Sequence, residues 1–75
     1  MTAVEVVFSY GTVPTETVMR AVDDVREVYG IRLIRFSEAD RTVRVEYDAT
    51  RLKDDSVSSL LRNAGLDLRD KLSLV

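Results

Sequence analysis

The chain has 75 residues, with 11 Lys and Arg against 13 Asp and Glu and neither Cys nor His, so it can build one small core of roughly 3 to 5 kcal/mol net stability with no disulfide to reinforce it. Without thiols or imidazoles the two commonest routes to zinc, copper and iron–sulfur binding are closed, and a formal charge of -2 with the signs interleaved offers no basic stripe for nucleic acid. No segment approaches the roughly 20 apolar residues of a membrane span, and Met1-Thr2-Ala3-Val4-Glu5 lacks the basic region and apolar run of a signal peptide. The expectation is a single soluble, cytoplasmic domain over residues 1–75 that makes no membrane contact of its own.

From residue 3 to residue 10, Val4, Val6, Phe8 and Tyr10 alternate with Glu5, Val7 and Ser9, a period of two that predicts a strand with one buried face. Gly11 ends it, and Pro14 suits the first turn of a helix, where its missing N–H has no intrahelical partner to lose. Val18, Ala21, Val22, Val25 and Val28 then fall on one helical stripe, with Arg20, Asp23, Asp24 and Glu27 between them. A strand over this stretch would put Arg20 and Asp24 on the same face as Val18 and Val22. Four valines give poor helix propensity, so packing must supply most of the stability, with a few tenths of a kcal/mol added by Glu16 and Arg20 at i,i+4. The helix is predicted to end within a residue or two of Tyr29, where Gly30 offers a left-handed closing residue.

Ile31, Ile34 and Phe36, then Val43, Val45 and Tyr47, flank the polar stretch Ser37-Glu38-Ala39-Asp40-Arg41 and predict a hairpin turning near Glu38 to Arg41. Asp54 and Asp55 stand where a second helix wants an N-cap and negative charge. Val57, Leu60, Leu61 and Ala64 form its stripe and Gly65 stops it. The tail Lys71-Leu72-Ser73-Leu74-Val75 can supply a last short strand.

The order is β-α-β-β-α-β, an α+β class, ferredoxin-like sandwich in which two helices cover one face of a four-stranded sheet. The expected core is Val4, Val6, Phe8, Val18, Val22, Val25, Ile34, Phe36, Val43, Val45, Val57, Leu60, Leu61 and Ala64.

The chain resembles the heavy-metal-associated domain of copper chaperones and of the amino ends of heavy-metal-pumping ATPases. Members read as a strand, G-M-x-C-x-x-C, a helix opening with Val, Gly followed by Val or Ile, a V-x-V strand, a V-x-V-x-Y-D strand, and a helix ending A-G-Y. Here Gly11, Val18, Gly30-Ile31, Ile34-Arg35-Phe36, Val43-Arg44-Val45-Glu46-Tyr47-Asp48 and Ala64-Gly65-Leu66 keep that register. The departures cluster at the metal loop. The two cysteine positions are Pro14 and Thr17, the Met is Thr12, and the aromatic after A-G is Leu66. The resemblance therefore implies the scaffold while transferring no metal ligand, because soft and borderline ions favour thiolate sulfur.

Other chemistry finds less support in the residues. Thr12, Thr15 and the first helical N–H groups suit an anion, but Glu16 opposes one. Glu16, Asp23, Asp24 and Glu27 are acidic, yet a helix spreads them around an exposed face, whereas calcium wants about six converging oxygens. No His activates a hydroxyl, and Lys53 and Lys71 have no evident group to lower a pKa, so no enzyme and no cofactor is expected. An RNA-recognition sheet needs exposed aromatics, where this one offers Glu5, Val7, Ser9, Thr42, Arg44 and Glu46. The open sheet face, with Val7 and Leu33 among Arg35 and Arg44, is a candidate surface for a protein partner or self-association. The expected function is that of a small protein-interaction or regulatory module. The alternative is a metal-ion transport or metallochaperone component that binds through non-cysteine or partner-supplied ligands.

Overall fold

Alternating residues in each strand turn one side of a sheet toward two short helices. The computed structural model describes residues 3–74, with β1 Ala3–Tyr10, α1 Glu16–Val25, β2 Ile31–Ser37, β3 Thr42–Asp48, α2 Asp54–Asn63 and β4 Leu68–Leu74. The strands form one antiparallel sheet in the order β2-β3-β1-β4. β1 is thus central, and β2 and β4 are the edges.

One cluster joins the inward residues of all four strands to both helices: Val6, Phe8, Tyr10, Ile34, Val43, Val45, Tyr47 and Leu68 from the sheet, Val22 and Val25 from α1, and Val57 and Leu61 from α2. Val4, Val18, Phe36, Leu60 and Ala64, expected in the core, are partly buried and pack against it. Four residues join it unforeseen: Tyr10, Tyr47, Leu66 and Leu68. The Tyr10 ring meets Phe36 edge-on, centroids 5.8 Å apart, the geometry aromatic quadrupoles prefer.

The α1 terminus departs from expectation. The α-helix stops at Val25, four residues short of Tyr29, because the amides of Arg26, Glu27 and Val28 turn to carbonyls three residues back. This tighter winding keeps Val28 half-buried before Gly30, at φ 102°, leads into β2. In β2 a register shift between Ile31 and Leu33 explains why Ile31, Ile34 and Phe36 are not evenly spaced. The irregularity lets Ile31 and Ile34 both face the core while Leu33 faces away.

The hairpin turns over residues 38–41 as expected, with Arg41 N–H donating to the Glu38 carbonyl at 3.3 Å and Arg41 itself left-handed at φ 53°. In α2, Asp54 and Asp55 are the first two helical residues and neither is the N-cap, a position held by Lys53 without a side-chain hydrogen bond. Its carboxyl end is a Schellman closure: Leu66 N–H donates to the Leu61 carbonyl and Gly65 N–H to that of Arg62. β4 begins at Leu68, earlier than the tail reading placed it, and Val75 lies outside the described residues.

Candidate functional site

The loop between β1 and α1, where the resembled family keeps its cysteines, is closed on itself. Thr15 is the N-cap of α1, its Oγ1 accepting from Val18 N–H at 3.2 Å. Pro14 therefore stands one residue before the cap, outside the first helical turn where it was expected. Thr17 is the exposed second residue of the helix. Pro14 and Met19 border one small hollow with Tyr10 and Phe36, a placement like that of a hydrophobic staple, which fixes how the chain enters a helix.

Thr12 faces Asp67, just before β4. Asp67 Oδ2 accepts from Thr12 N–H at 3.1 Å, from Thr12 Oγ1 at 3.0 Å and from Arg69 Nη2 at 3.0 Å. Gly11 N–H donates to the Asp67 carbonyl at 3.0 Å, while from the hairpin Arg41 Nη1 reaches the Gly11 carbonyl at 2.7 Å. The strap passes close to Gly11: a Cβ there would lie 2.4 Å from Arg69 Nε and 2.7 Å from Asp67 Oδ2, so a side chain would displace these two side-chain ends. The Thr12 hydroxyl, with Thr12 N–H and Arg69 adding to it, holds the Asp67 carboxyl below the usual carboxylate range.

A soft metal ion does not fit these residues. Pro14 has no side-chain donor, the Thr12 hydroxyl is committed to Asp67, and Thr17 carries a neutral hydroxyl of the wrong softness. The hollow beside the loop, about 130 Å³, is lined by Val13, Pro14, Val18 and Leu66 together with Thr12, Thr15 and Asp67. Two of the acidic residues of α1 are paired locally, Glu16 with Arg20 at 2.6 Å and Asp23 with Arg26 at 3.0 Å. Among the described residues no group of three or more His, Cys, Asp or Glu could share an ion.

Lys71, considered as a nucleophile, donates to Asp54 Oδ2 at 2.6 Å. That carboxylate raises the Lys71 pKa and is itself lowered, so the amine stays charged. Lys53 is exposed at the start of α2.

The second candidate region, the open sheet face, does come together. Arg35 stands opposite Arg44, and Arg44 opposite Val7, in one cross-strand row. Leu33, Glu46 and Glu5 form the neighbouring row. Val7 and Leu33 are half-buried, Arg35 and Arg44 exposed. Arg44 Nη1 pairs with Glu5 Oε1 at 2.9 Å, and Arg32 Nε lies 3.5 Å from Glu46 Oε1. Arg35 has no carboxylate partner among the described residues.

Sequence reasoning missed the strap of Arg41, Asp67 and Arg69. No local pattern marks it, since Thr12 and Asp67 are 55 residues apart. The signal lay in the topology: once β4 is placed beside β1, the residue entering β4 must neighbour the residue leaving β1, as the Tyr10 and Leu68 pairing shows.

No protein-family model and no curated protein matches the chain. Solved structures do. The chain is similar to Ccc2a, a domain of the yeast copper transporter solved in the apo and Cu(I)-loaded states, with a TM-score of 0.73 at 18% identity over 93% of this chain and 96% of that one. It is similar to the Atx1–Cu(I)–Ccc2a complex, with a TM-score of 0.74 at 18% identity and the same coverage. It is also similar to the amino-terminal domain of ZntA in the apo form, with a TM-score of 0.69 at 19% identity over 96% of both chains. At such identities the likeness is one of fold, and the chain carries the ferredoxin-like βαββαβ sandwich of heavy-metal-associated domains.

Proposed function

We propose that the chain is a small cytoplasmic protein-interaction or regulatory module on a heavy-metal-associated-like scaffold, one that binds without catalysing and holds no soft metal through its β1–α1 loop. The observation that carries this reading is the Asp67 strap. The loop's hydroxyl and two of its amides are satisfied by the protein itself, at 3.0 to 3.1 Å, with no thiolate nearby and no cysteine in the chain. The open sheet face, where Arg35 has no carboxylate partner among the described residues and stands beside two half-buried aliphatic side chains, is the surface left for a partner.

A second reading has one observation behind it. The fold is that of a structure in which two such proteins were solved together with Cu(I), so a transport or chaperone component could rely on ligands from its partner. Adding Cu(I) or Zn(II) to the chain alone and then with a candidate partner separates the two. The first reading expects no metal-dependent change in either case. Affinity appearing only in the mixture selects the second.

A further inference from the structure

We infer that the open sheet face docks a second copy of this chain, face to face, across a two-fold axis running perpendicular to the strands between the Arg35–Arg44 row and the Glu46–Glu5 row. This inference rests on reading the chain as an interaction module and names its partner.

One cross-strand row is unfavourable in the isolated chain. Arg35 and Arg44 are directly opposed on adjacent antiparallel strands, where like charges destabilise. Glu5 relieves Arg44 at 2.9 Å, and nothing among the described residues relieves Arg35. The next row, two residues along the strands and so roughly 7 Å away, holds the directly opposed carboxylates Glu46 and Glu5, the first with Arg32 Nε at 3.5 Å and the second with Arg44 Nη1 at 2.9 Å. The face thus carries a cationic row beside an anionic row, with Val7 in the first and Leu33 in the second.

A two-fold interface requires a patch complementary to itself. An axis along the strands would bring arginine row onto arginine row. An axis across the strands, between the rows, exchanges them, setting Arg44 against Glu46 of the second copy and Arg35 beside that same carboxylate. Val7 and Leu33 then lose their remaining exposure. The charge pattern selects the second arrangement.

Size bounds the strength. A molecule measuring 33 × 23 × 17 Å offers no face larger than about 750 Å², so the dimer buries at most about 1,500 Å², the lower half of the range for stable interfaces. Charged rows add specificity more than affinity, and a dissociation constant on the order of 100 µM is expected.

Sedimentation equilibrium of the full chain between about 10 µM and 1 mM tests this, with Arg35→Glu and Glu46→Arg each alone and in equimolar mixture. Arg35→Glu replaces a like-charge pair by an opposite-charge one within the sheet, so its thermal stability should hold or rise while self-association weakens at least about tenfold. Each variant alone should be monomeric, and the mixture should recover dimer in part, because one of the two symmetric contacts then keeps Arg35 and Arg44 on an unaltered Glu46 while in the other the new carboxylate at position 35 meets the new guanidinium at position 46. A wild type that stays monomeric to 1 mM overturns the inference and leaves the metal-free loop reading standing. A dimer indifferent to both variants, or a mixture that recovers nothing, also overturns it, the first by placing the contact elsewhere and the second by denying the two-fold pairing.

Discussion

Asp67 Oδ2 lies 3.0 Å from the hydroxyl of Thr12 and 3.1 Å from its amide, so one carboxylate oxygen takes up two donors in the loop where the resembled fold holds its ion. The consequence for stability follows from proton linkage. Asp67 is lowered in the folded state, so the unfolded chain takes up its proton first, and the stabilisation is present above the ordinary carboxylate pKa of about 4 and fades as pH falls through the folded value. Melting temperatures of the wild type and Asp67→Asn should differ most near neutral pH and converge as pH falls below the ordinary carboxylate range. A constant difference across that window would mean the carboxylate charge is not what holds the loop.

At the other end of the same loop, Thr15 satisfies Val18 N–H. Thr15→Ala should cost about 1 kcal/mol, read as a fall of roughly 4 to 8 °C in melting temperature for a domain of this size. Thr15→Ser should restore most of it.

Leu61 is fully buried in α2, and its carbonyl receives Leu66 N–H. Leu61→Ala should cost roughly 2 to 5 kcal/mol, comparable with the whole net stability expected of a core this small. Circular dichroism at room temperature should find the variant largely unfolded.

How far the sequence could be read depended on whether the controlling interactions were local. Gly65 announced the α2 closure because a residue at φ 102° favours glycine, whatever packs around it. The turn at residues 38–41 was equally plain from its polar run between alternating strands. The end of α1 was not, since Val28 continues the apolar spacing whether the backbone winds by four residues or by three. Pro14 suits the first turn by its missing N–H, yet Thr15 takes the cap through a side-chain bond that spacing alone does not reveal. Leu68 entered the core because β4 begins earlier than its apolar tail suggested and pairs with Tyr10 at the β1 flank. At the site, Thr12, Pro14 and Thr17 were legible as missing ligands, whereas Asp67, Arg69 and Arg41 meet the loop only through tertiary pairing.

The scaffold reading makes a constructive prediction. In the double variant Pro14→Cys, Thr17→Cys, two thiolates occupy the positions the resemblance assigns to the ligand pair, on a backbone that matches Ccc2a with a TM-score of 0.73. The variant should bind about one Cu(I) per chain, seen as the rise of thiolate-to-copper charge-transfer absorption. Adding Asp67→Asn should increase that affinity if the strap restrains the loop. A correctly folded double variant with no such absorption would show that the loop geometry differs from that of the metal-carrying domains.

Competition for Cu(I) between the unaltered chain and a chromophoric chelator, repeated for Zn(II), decides whether the loop as it stands takes up a soft metal. The account predicts that the chain, at any excess, leaves the chelator saturated and the amide resonances of residues 11–18 unmoved. Stoichiometric removal of metal at sub-micromolar affinity, with those resonances shifting, would contradict it.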